Sequence, residues 1–342
     1  MKKTMKKGIA LLLAMLLLLT SFSGCTSYDE NYAIFELWVA GVKVTTRNQS
    51  DILGDGTVSY VGDGTSGVLT LNGANIAESS DPDAEAVIVS LIDDLTIQLV
   101  GENQIGMGEK APVNGISAFD LTIKGEGSLD IAARASCIKG NTFIVESGKI
   151  DTYVKTADDE IASFIGVGFW AQELLEINGG DIQVHYLAGF SPLSYGLYCV
   201  QELVINGGKI AIDPMESQML AIGLIASEKL SITGGYLSVY GFDDAMNAKT
   251  FVMTGGKVNA DAVDLFADGA CRLVNKAEFS GGELTVSCLM KMDPESITLY
   301  SKDLVLNGMS VSGGDFVENL AEKDAADYEY KDACIRIEKE VN

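Results

Sequence analysis

Apolar and polar residues alternate in a pattern that recurs along most of the chain. Its clearest copies read "LEINGGDIQV", "LVINGGKIAI", "LSITGGYLSV", "FVMTGGKVNA" and "FSGGELTV". Each copy has an alternating segment, a glycine turn and a second alternating segment, which predicts two β-strands joined by a tight turn. Weaker copies, from "LTLNGANI" to "LVLNGMSV", extend the repeat in both directions. The chain is therefore predicted to be an all-β repeat protein.

The first apolar residue after each turn marks the repeat. Successive markers are 21 to 32 residues apart, and they are Ile76, Ile105, Leu129, Ile150, Ile182, Ile210, Leu237, Val258, Leu284 and Val311. Alternation around them predicts one buried face on each strand. A third short strand is expected where the chain reads "VGFWAQ", "YGLYCV" and "IGLIAS". Three strands per copy and about ten stacked copies predict a right-handed parallel β-helix.

The N-terminus has the pattern of an export signal. Four lysines precede an apolar run, residues 9–19, that is too short to span a bilayer. The following "FSGC" resembles the lipobox of bacterial lipoproteins, which are cut before an acylated cysteine. We expect residues 1–24 to be a signal peptide and residues 25–32 to be the lipid anchor and tether, with lipidation at Cys25 and localisation on the extracellular face of the cell membrane. An ordinary signal peptide with an incidental cysteine is the alternative.

The rest of the chain is expected to be one β-helix with a cap at each end. Residues 33–314 form the β-helix in this prediction, and residues 33–62 form its N-terminal cap. Residues 315–342 form the C-terminal cap, with a polar helical stretch, "FVENLAEKDAADYEY", followed by a last strand, "CIRIEKEV". Caps are expected because the exposed edges of terminal coils would otherwise pair with other chains.

Charge narrows the range of partners. Without residues 1–24 the chain has 20 basic and 48 acidic residues, a net charge of −28. Such a chain repels nucleic acids and anionic lipid headgroups, so we exclude both as ligands and expect membrane contact through the lipid anchor only. Acidic polymers would also be repelled unless a divalent cation bridges them.

The sequence resembles a family of β-helical proteins, labelled carbohydrate-binding, on the surface of Gram-positive gut bacteria. The resemblance rests on "ELWVAGVKVTTRNQSDILGDGTVSY", on "LTLNGANI" and on the later glycine-pair copies, and it covers nearly the whole mature chain. It implies binding of plant cell-wall polysaccharides and calcium sites in loops reading "D-D-G-I". The nearest match, at Asp243 and Asp244, has alanine in place of the glycine. These residues, with Asp261 and Asp264, are the candidate calcium ligands.

Solvent-facing positions that recur from coil to coil form the candidate binding surface. Trp170 and Tyr198 are expected at equivalent positions of neighbouring third strands, where flat rings could pack against the C–H face of a sugar. Tyr153, His185 and Tyr240 recur in a second column of polar and aromatic residues. For the first column the alternative is an aromatic ladder that only strengthens the sheet or lies under a loop. For the second column the alternative is a solvated sheet face. A further column is expected to form charge pairs between coils, and its members are Lys149, Asp181, Lys209, Tyr236, Lys257 and Glu283.

Three function classes remain after this reading. Non-catalytic binding of an extracellular polysaccharide is the favoured hypothesis, with calcium as the candidate ion. A calcium-dependent polysaccharide lyase is the first alternative, for which Arg272 near the aspartates could serve as the base. A structural rod or protein adhesin is the second. Chemistry based on histidine or on paired cysteines is disfavoured, because His185 is the only histidine and the chain has no C-x-x-C motif.

Overall fold

The protein is described by a computed structural model that covers most of the repeat region. The described residues are 32–108, 111–155, 165–187, 194–214, 221–241, 245–262, 271–288 and four short strands after residue 303. The regular secondary structure of these residues consists entirely of β-strands, which confirms the all-β prediction. The strands join in one long sheet in which most neighbours run parallel.

The strands vary in length with their place in the repeat. The first half of the chain contains β1 (Ile34–Val39), β2 (Val42–Thr45), β3 (Val58–Gly62), β4 (Ser66–Asn72), β5 (Asn75–Ile76), β6 (Ala86–Val100), β7 (Glu102–Ile105), β8 (Asn114–Gly125), β9 (Ser128–Ala133), β10 (Ser136–Val145), β11 (Lys149–Lys155) and β12 (Gly166–Ile177). The second half contains β13 (Asp181–Leu187), β14 (Ser194–Cys199), β15 (Glu202–Ile205), β16 (Lys209–Pro214), β17 (Ala221–Ile232), β18 (Tyr236–Gly241), β19 (Met246–Ala262), β20 (Cys271–Cys288), β21 (Leu304–Leu306), β22 (Met309–Gly313), β23 (Phe316–Val317) and β24 (Cys334–Lys339).

Equivalent strands of successive copies pair side by side and parallel. The long strands before the glycine turns form one series, from β6 through β8, β10 and β12 to β14 with β15, then β17, β19 and β20. The strands after the turns form a second series, β7, β9, β11, β13, β16 and β18, which continues into the second halves of β19 and β20. Each sequence copy therefore lies directly beside the next.

The register agrees with the predicted markers at most steps and differs at two. The markers Ile76 and Ile105 are parallel partners, as predicted. Parallel partners join the markers from Leu129 to Leu284 in order. The marker Ile105 pairs with Ile131, two residues beyond the expected partner, and Ile131 is as fully buried as Leu129. The marker Val311 pairs with β24, which separates β22 from β20. The predicted alignment is wrong at these two steps.

The apolar face of the strands forms a continuous core. Ile182, Ile210 and Leu224 have almost no exposed surface, as do the other described residues predicted to face inward. The rings of Phe143 and Phe169, on neighbouring strands, stack with centroids 5.4 Å apart. Burial of each such aliphatic or phenylalanine side chain stabilises the folded state by about 1.5–3 kcal/mol relative to leaving it exposed. The alternation seen in the sequence therefore corresponds to real burial.

The predicted third strand is not separate in most copies. It runs without interruption into the next strand before a turn in β12 and β17, and among the described copies with a predicted third strand the division falls between β14 and β15. A bulge bends the long strand: the two steps from Gly140 to Thr142 on β10 match the three steps from Ala171 to Leu174 on β12. Pairing continues on both sides of the bulge, so the two segments form one strand without a loop between them.

Antiparallel strands lie at both ends of the parallel region. β1 pairs antiparallel with β2 and β6, and β3 pairs antiparallel with β4. At the other end β24 runs antiparallel to β20 and β22, which confirms the predicted last strand. Phe316–Val317 form β23 where the polar helical stretch was expected to begin, so that expectation is wrong at its start. Residues 318–333 lie outside the described part of the chain.

The two glycines of a turn, for example Gly207 and Gly208, are required for different physical reasons. Gly208 has a φ of +81°, a region that other residues rarely adopt. A Cβ there would also lie 2.9 Å from the carbonyl oxygen of Gly179 in the preceding turn. Gly207 has no such φ, but a Cβ at this position would collide with the carbonyl oxygen of Asn178. Close stacking of one turn on the next therefore requires both glycines.

We expect Gly208→Ala to destabilise the protein more than Gly54→Ala does. Gly54 has a similar φ of +78°, but nothing lies within 4 Å of an added Cβ. The strained φ costs about 1–2 kcal/mol in both variants, and the contact with the neighbouring turn adds about 1–3 kcal/mol in Gly208→Ala only. Urea unfolding of the two variants measures the difference. Equal losses would show that the turns are not tightly stacked.

Candidate functional site

Three aromatic side chains gather on the solvent face of two neighbouring strands. Trp170 of β12 lies in register with Tyr198 of β14, as the sequence predicted. Tyr195, also on β14, has its ring 5.2 Å from that of Tyr198, with 32° between the planes. The three line a cleft of about 510 Å³, which we call the aromatic cleft. Its other lining residues are Val113, Asn114, Ala135, Ser136, Lys139, Ile165 and Val167.

Local alternation explains why Trp170 and Tyr198 face solvent. Trp170 stands between the fully buried Phe169 and Ala171, and Tyr198 stands between the fully buried Leu197 and Cys199. Because successive side chains point to opposite faces of a strand, burial of the flanking residues turns Trp170 and Tyr198 outward. Both are half-buried, so each ring is supported by the sheet and still reachable.

An ion pair sits beside the rings. The ammonium of Lys139, which lines the aromatic cleft, forms a close salt bridge with Glu85. Asn114 donates a hydrogen bond of 2.9 Å to the main-chain carbonyl of Glu85, and the Ser117 hydroxyl lies 3.4 Å from a Glu85 carboxylate oxygen. The cleft thus combines apolar ring surface with a neutralised polar edge.

Tyr195 of the cleft stays uncharged at neutral pH. Burial raises the pKa of the Tyr195 phenol above its ordinary value, and the neighbouring Tyr198 raises it further. A neutral phenol both donates and accepts a hydrogen bond, which suits a ligand rich in hydroxyl groups. The arrangement can hold such a ligand, and the described cleft residues include no histidine or cysteine that could act as a nucleophile.

The second predicted column lies on the other strand series and does not reach the aromatic cleft. Tyr153 of β11 and His185 of β13 are in register, with ring centroids 5.0 Å apart and 23° between the planes. Each ring covers one face of the other, so part of both ring surfaces is used within the protein. Tyr240 of β18 is half-buried and in register with Asp261. The candidate aromatic residues therefore fall into two groups.

The predicted charge column is in register, but its ion pairs differ from expectation in part. Lys257 and Glu283 of neighbouring copies are 2.9 Å apart, as predicted. Lys149 bonds to Asp151 of its own strand at 2.8 Å instead of pairing with Asp181. This hydrogen bond raises the pKa of Lys149, and the charge of Asp151 raises it further. The Asp151 carboxylate is 8% exposed, and its burial favours the nearest available ammonium.

Sequence reasoning missed a polar ladder beside the glycine turns. Asn178 donates to Glu146 at 3.1 Å, Asn206 donates to Asn178 at 2.8 Å, and the Thr233 hydroxyl donates to Asn206 at 2.7 Å. The recurring polar residue before each glycine pair was the signal that could have revealed it. Tyr186, which follows the candidate residue His185 on β13, is fully buried.

The candidate calcium ligands are only partly described. Asp243, Asp244 and Asp264 lie outside the described residues, and of Asp261 only the backbone is described, in register with Tyr240 and Ser287. The part of the chain with described side chains contains no group of three acidic, histidine or cysteine residues that could hold a metal ion. The backbone of Arg272, the candidate base, pairs with Asn247. Calcium binding remains a prediction.

Two cysteines of the core are free thiols. Cys137 and Cys199 are buried and form no disulfide. Burial raises the pKa of the Cys137 thiol to about 12, and desolvation also raises that of Cys199. A thiol that stays protonated is a poor nucleophile and a poor metal ligand. These two residues act as small core side chains.

The expected signal peptide and the lipidation site at Cys25 lie outside the described residues. Within the described part, no helix is long and apolar enough to cross a membrane. No protein-family model matches the chain, and neither a curated protein nor a solved structure shows significant similarity to it.

We expect Cys137 to resist alkylation in the folded protein. With a pKa of about 12 the thiol is almost entirely protonated at pH 8, and its surroundings exclude the reagent. Treatment with iodoacetamide followed by peptide mass spectrometry should leave Cys137 unmodified until urea unfolds the chain. Rapid modification without urea would show that this part of the core opens to solvent.

Proposed function

We propose that this protein binds an extracellular polysaccharide of the plant cell-wall type, without catalysis, at the aromatic cleft. The observation that carries the proposal is the gathering of Trp170, Tyr195 and Tyr198 around one depression. A pyranose ring offers an apolar C–H face to such rings and directs its hydroxyls to polar groups around them. The ion pair of Lys139 and Glu85 supplies a donor and an acceptor at the edge.

We also propose a specific architecture for the repeat region. The chain winds as a right-handed parallel β-helix of about ten coils, with antiparallel caps at its ends. Parallel pairing of each copy with the next supports this winding, and parallel strand connections are right-handed in nearly all proteins. The antiparallel pairing of β1 with β2 and of β24 with β20 supports the caps.

The protein carries out this binding from the cell surface in our proposal. The lipobox-like sequence before Cys25 supports a lipid anchor on the outer face of the membrane. The large negative charge supports a ligand other than nucleic acid or anionic lipid. A rigid repeat protein anchored at one end is well suited to holding a polymer near the cell.

We expect Trp170→Ala to weaken polysaccharide binding about tenfold, the effect of losing a central aromatic contact of about 1.4 kcal/mol. Affinity electrophoresis through gels containing pectin, xylan or β-glucan, each with calcium and with a chelator, measures binding as retardation. Trp170→Phe keeps an aromatic ring and should retain most of the retardation. Tyr236→Ala, on the other strand series, is the matched control and should migrate as the original protein does.

Three outcomes would contradict this proposal. Loss of retardation in Tyr153→Ala but not in Trp170→Ala would move the site to the second aromatic group. Absence of retardation in every gel would remove the sugar-binding function and favour the adhesin or rod. Release of unsaturated uronate ends in the calcium gels would identify a lyase.

A further inference from the structure

Two smaller clefts adjoin the aromatic cleft along the direction in which the strands stack. The nearer one, of about 250 Å³, shares Lys139 and Trp170 with the aromatic cleft and also touches Glu85. The farther one, also of about 250 Å³, shares Glu85 with the second and is lined by Trp38 and Leu91. Each cleft has lining residues in common with the next, so the three follow one another along the surface, and we call this row of clefts the long groove.

The strand register aligns the long groove with a single row of side chains. Trp38 is in register with Val89 and Val89 with Ser117. Ser117 is in register with Lys139, and Lys139 with Trp170. With Tyr198 this row crosses six strands, β1, β6, β8, β10, β12 and β14. At a strand spacing of about 4.8 Å the row is about 24 Å long, enough for several sugar units.

Charges along the long groove disfavour an anionic ligand. Lys139 is paired with Glu85, and Asp81 adds a further negative charge in the farthest cleft. Lys43, whose ammonium lies 4.5 Å from the centre of the Trp38 ring, is paired with Glu36 at 3.0 Å. Both lysines are thus already neutralised, and the whole chain has a net charge of −24. A uronate or sulfate polymer would meet repulsion here.

We infer that the long groove takes an uncharged glycan chain that lies across the stacked strands, from Tyr198 to Trp38. The inference rests on the proposed function. It adds the class of polymer, the direction of the polymer and a second aromatic contact, at Trp38, about 24 Å from Tyr198. Trp38 and Leu91 hold the far end of the glycan, and the Lys139 and Glu85 pair contacts its hydroxyls in the middle.

The test compares neutral polymers with an acidic one and the far end of the groove with the near end. Affinity electrophoresis uses gels of β-glucan, xylan, galactomannan or polygalacturonate, all with a chelator. At least one neutral polymer should retard the protein, and polygalacturonate should not. Trp170→Ala should weaken retardation about tenfold and Trp38→Ala about threefold, as a central and a peripheral contact do.

Two milder variants guard against a folding defect at the first strand. Trp38→Phe retains an aromatic ring and should restore most of the binding that Trp38→Ala loses. Leu91→Ser alters a side chain that is 65% exposed, so it should fold normally and still weaken binding about twofold.

The outcomes separate this inference from the proposed function. If Trp170→Ala weakens binding while Trp38→Ala and Leu91→Ser do not, the ligand occupies the aromatic cleft alone and the long groove is wrong. If polygalacturonate retards the protein and the neutral polymers do not, the polymer class is wrong and sugar binding stands. If none of the four polymers retards it, both proposals fail.

Discussion

Parallel pairing of each strand with its counterpart in the next sequence copy is the interaction on which the other features depend. Main-chain hydrogen bonds hold neighbouring copies about 4.8 Å apart, and at this spacing the turns must stack with almost no room between them. Gly207 and Gly208 meet this demand, since a Cβ on either would contact the preceding turn. The ladder through Asn178 and Asn206 adds side-chain bonds at the same place.

The same register creates rows of equivalent side chains, and what a row can do depends on which rings it contains. Tyr153 and His185 stack on each other, so much of their ring surface is used within the protein. Tyr195 and Tyr198 are tilted against each other at the wall of the aromatic cleft, and Trp170 lies beside them. Rows of similar composition thus differ in how their rings are used, and the row with Trp170 and Tyr198 lines a depression that a ligand could fill.

Electrostatics sets the character of this depression. Lys139 is neutralised by Glu85 while the protein as a whole is strongly acidic. Binding at such a surface relies on ring contact and on hydrogen bonds to uncharged groups, which lose little strength with salt, whereas attraction of an anion would require an unpaired cation. On the other strand series a lysine is likewise neutralised by a nearby carboxylate, because the ammonium of Lys149 bonds to Asp151 of its own strand.

The sequence alone determined the all-β class, the copies and the identity of most core residues, because period-two alternation and glycine turns are local properties of the chain. It also predicted that Trp170 and Tyr198 would be neighbours, since equal spacing within copies implies equal register. Tertiary structure decided what local pattern does not contain. Placement of Tyr195 beside Tyr198, burial of Tyr186, the pairing of Ile105 with Ile131 and the adjoining of Trp38 to the groove depend on contacts between residues far apart in sequence.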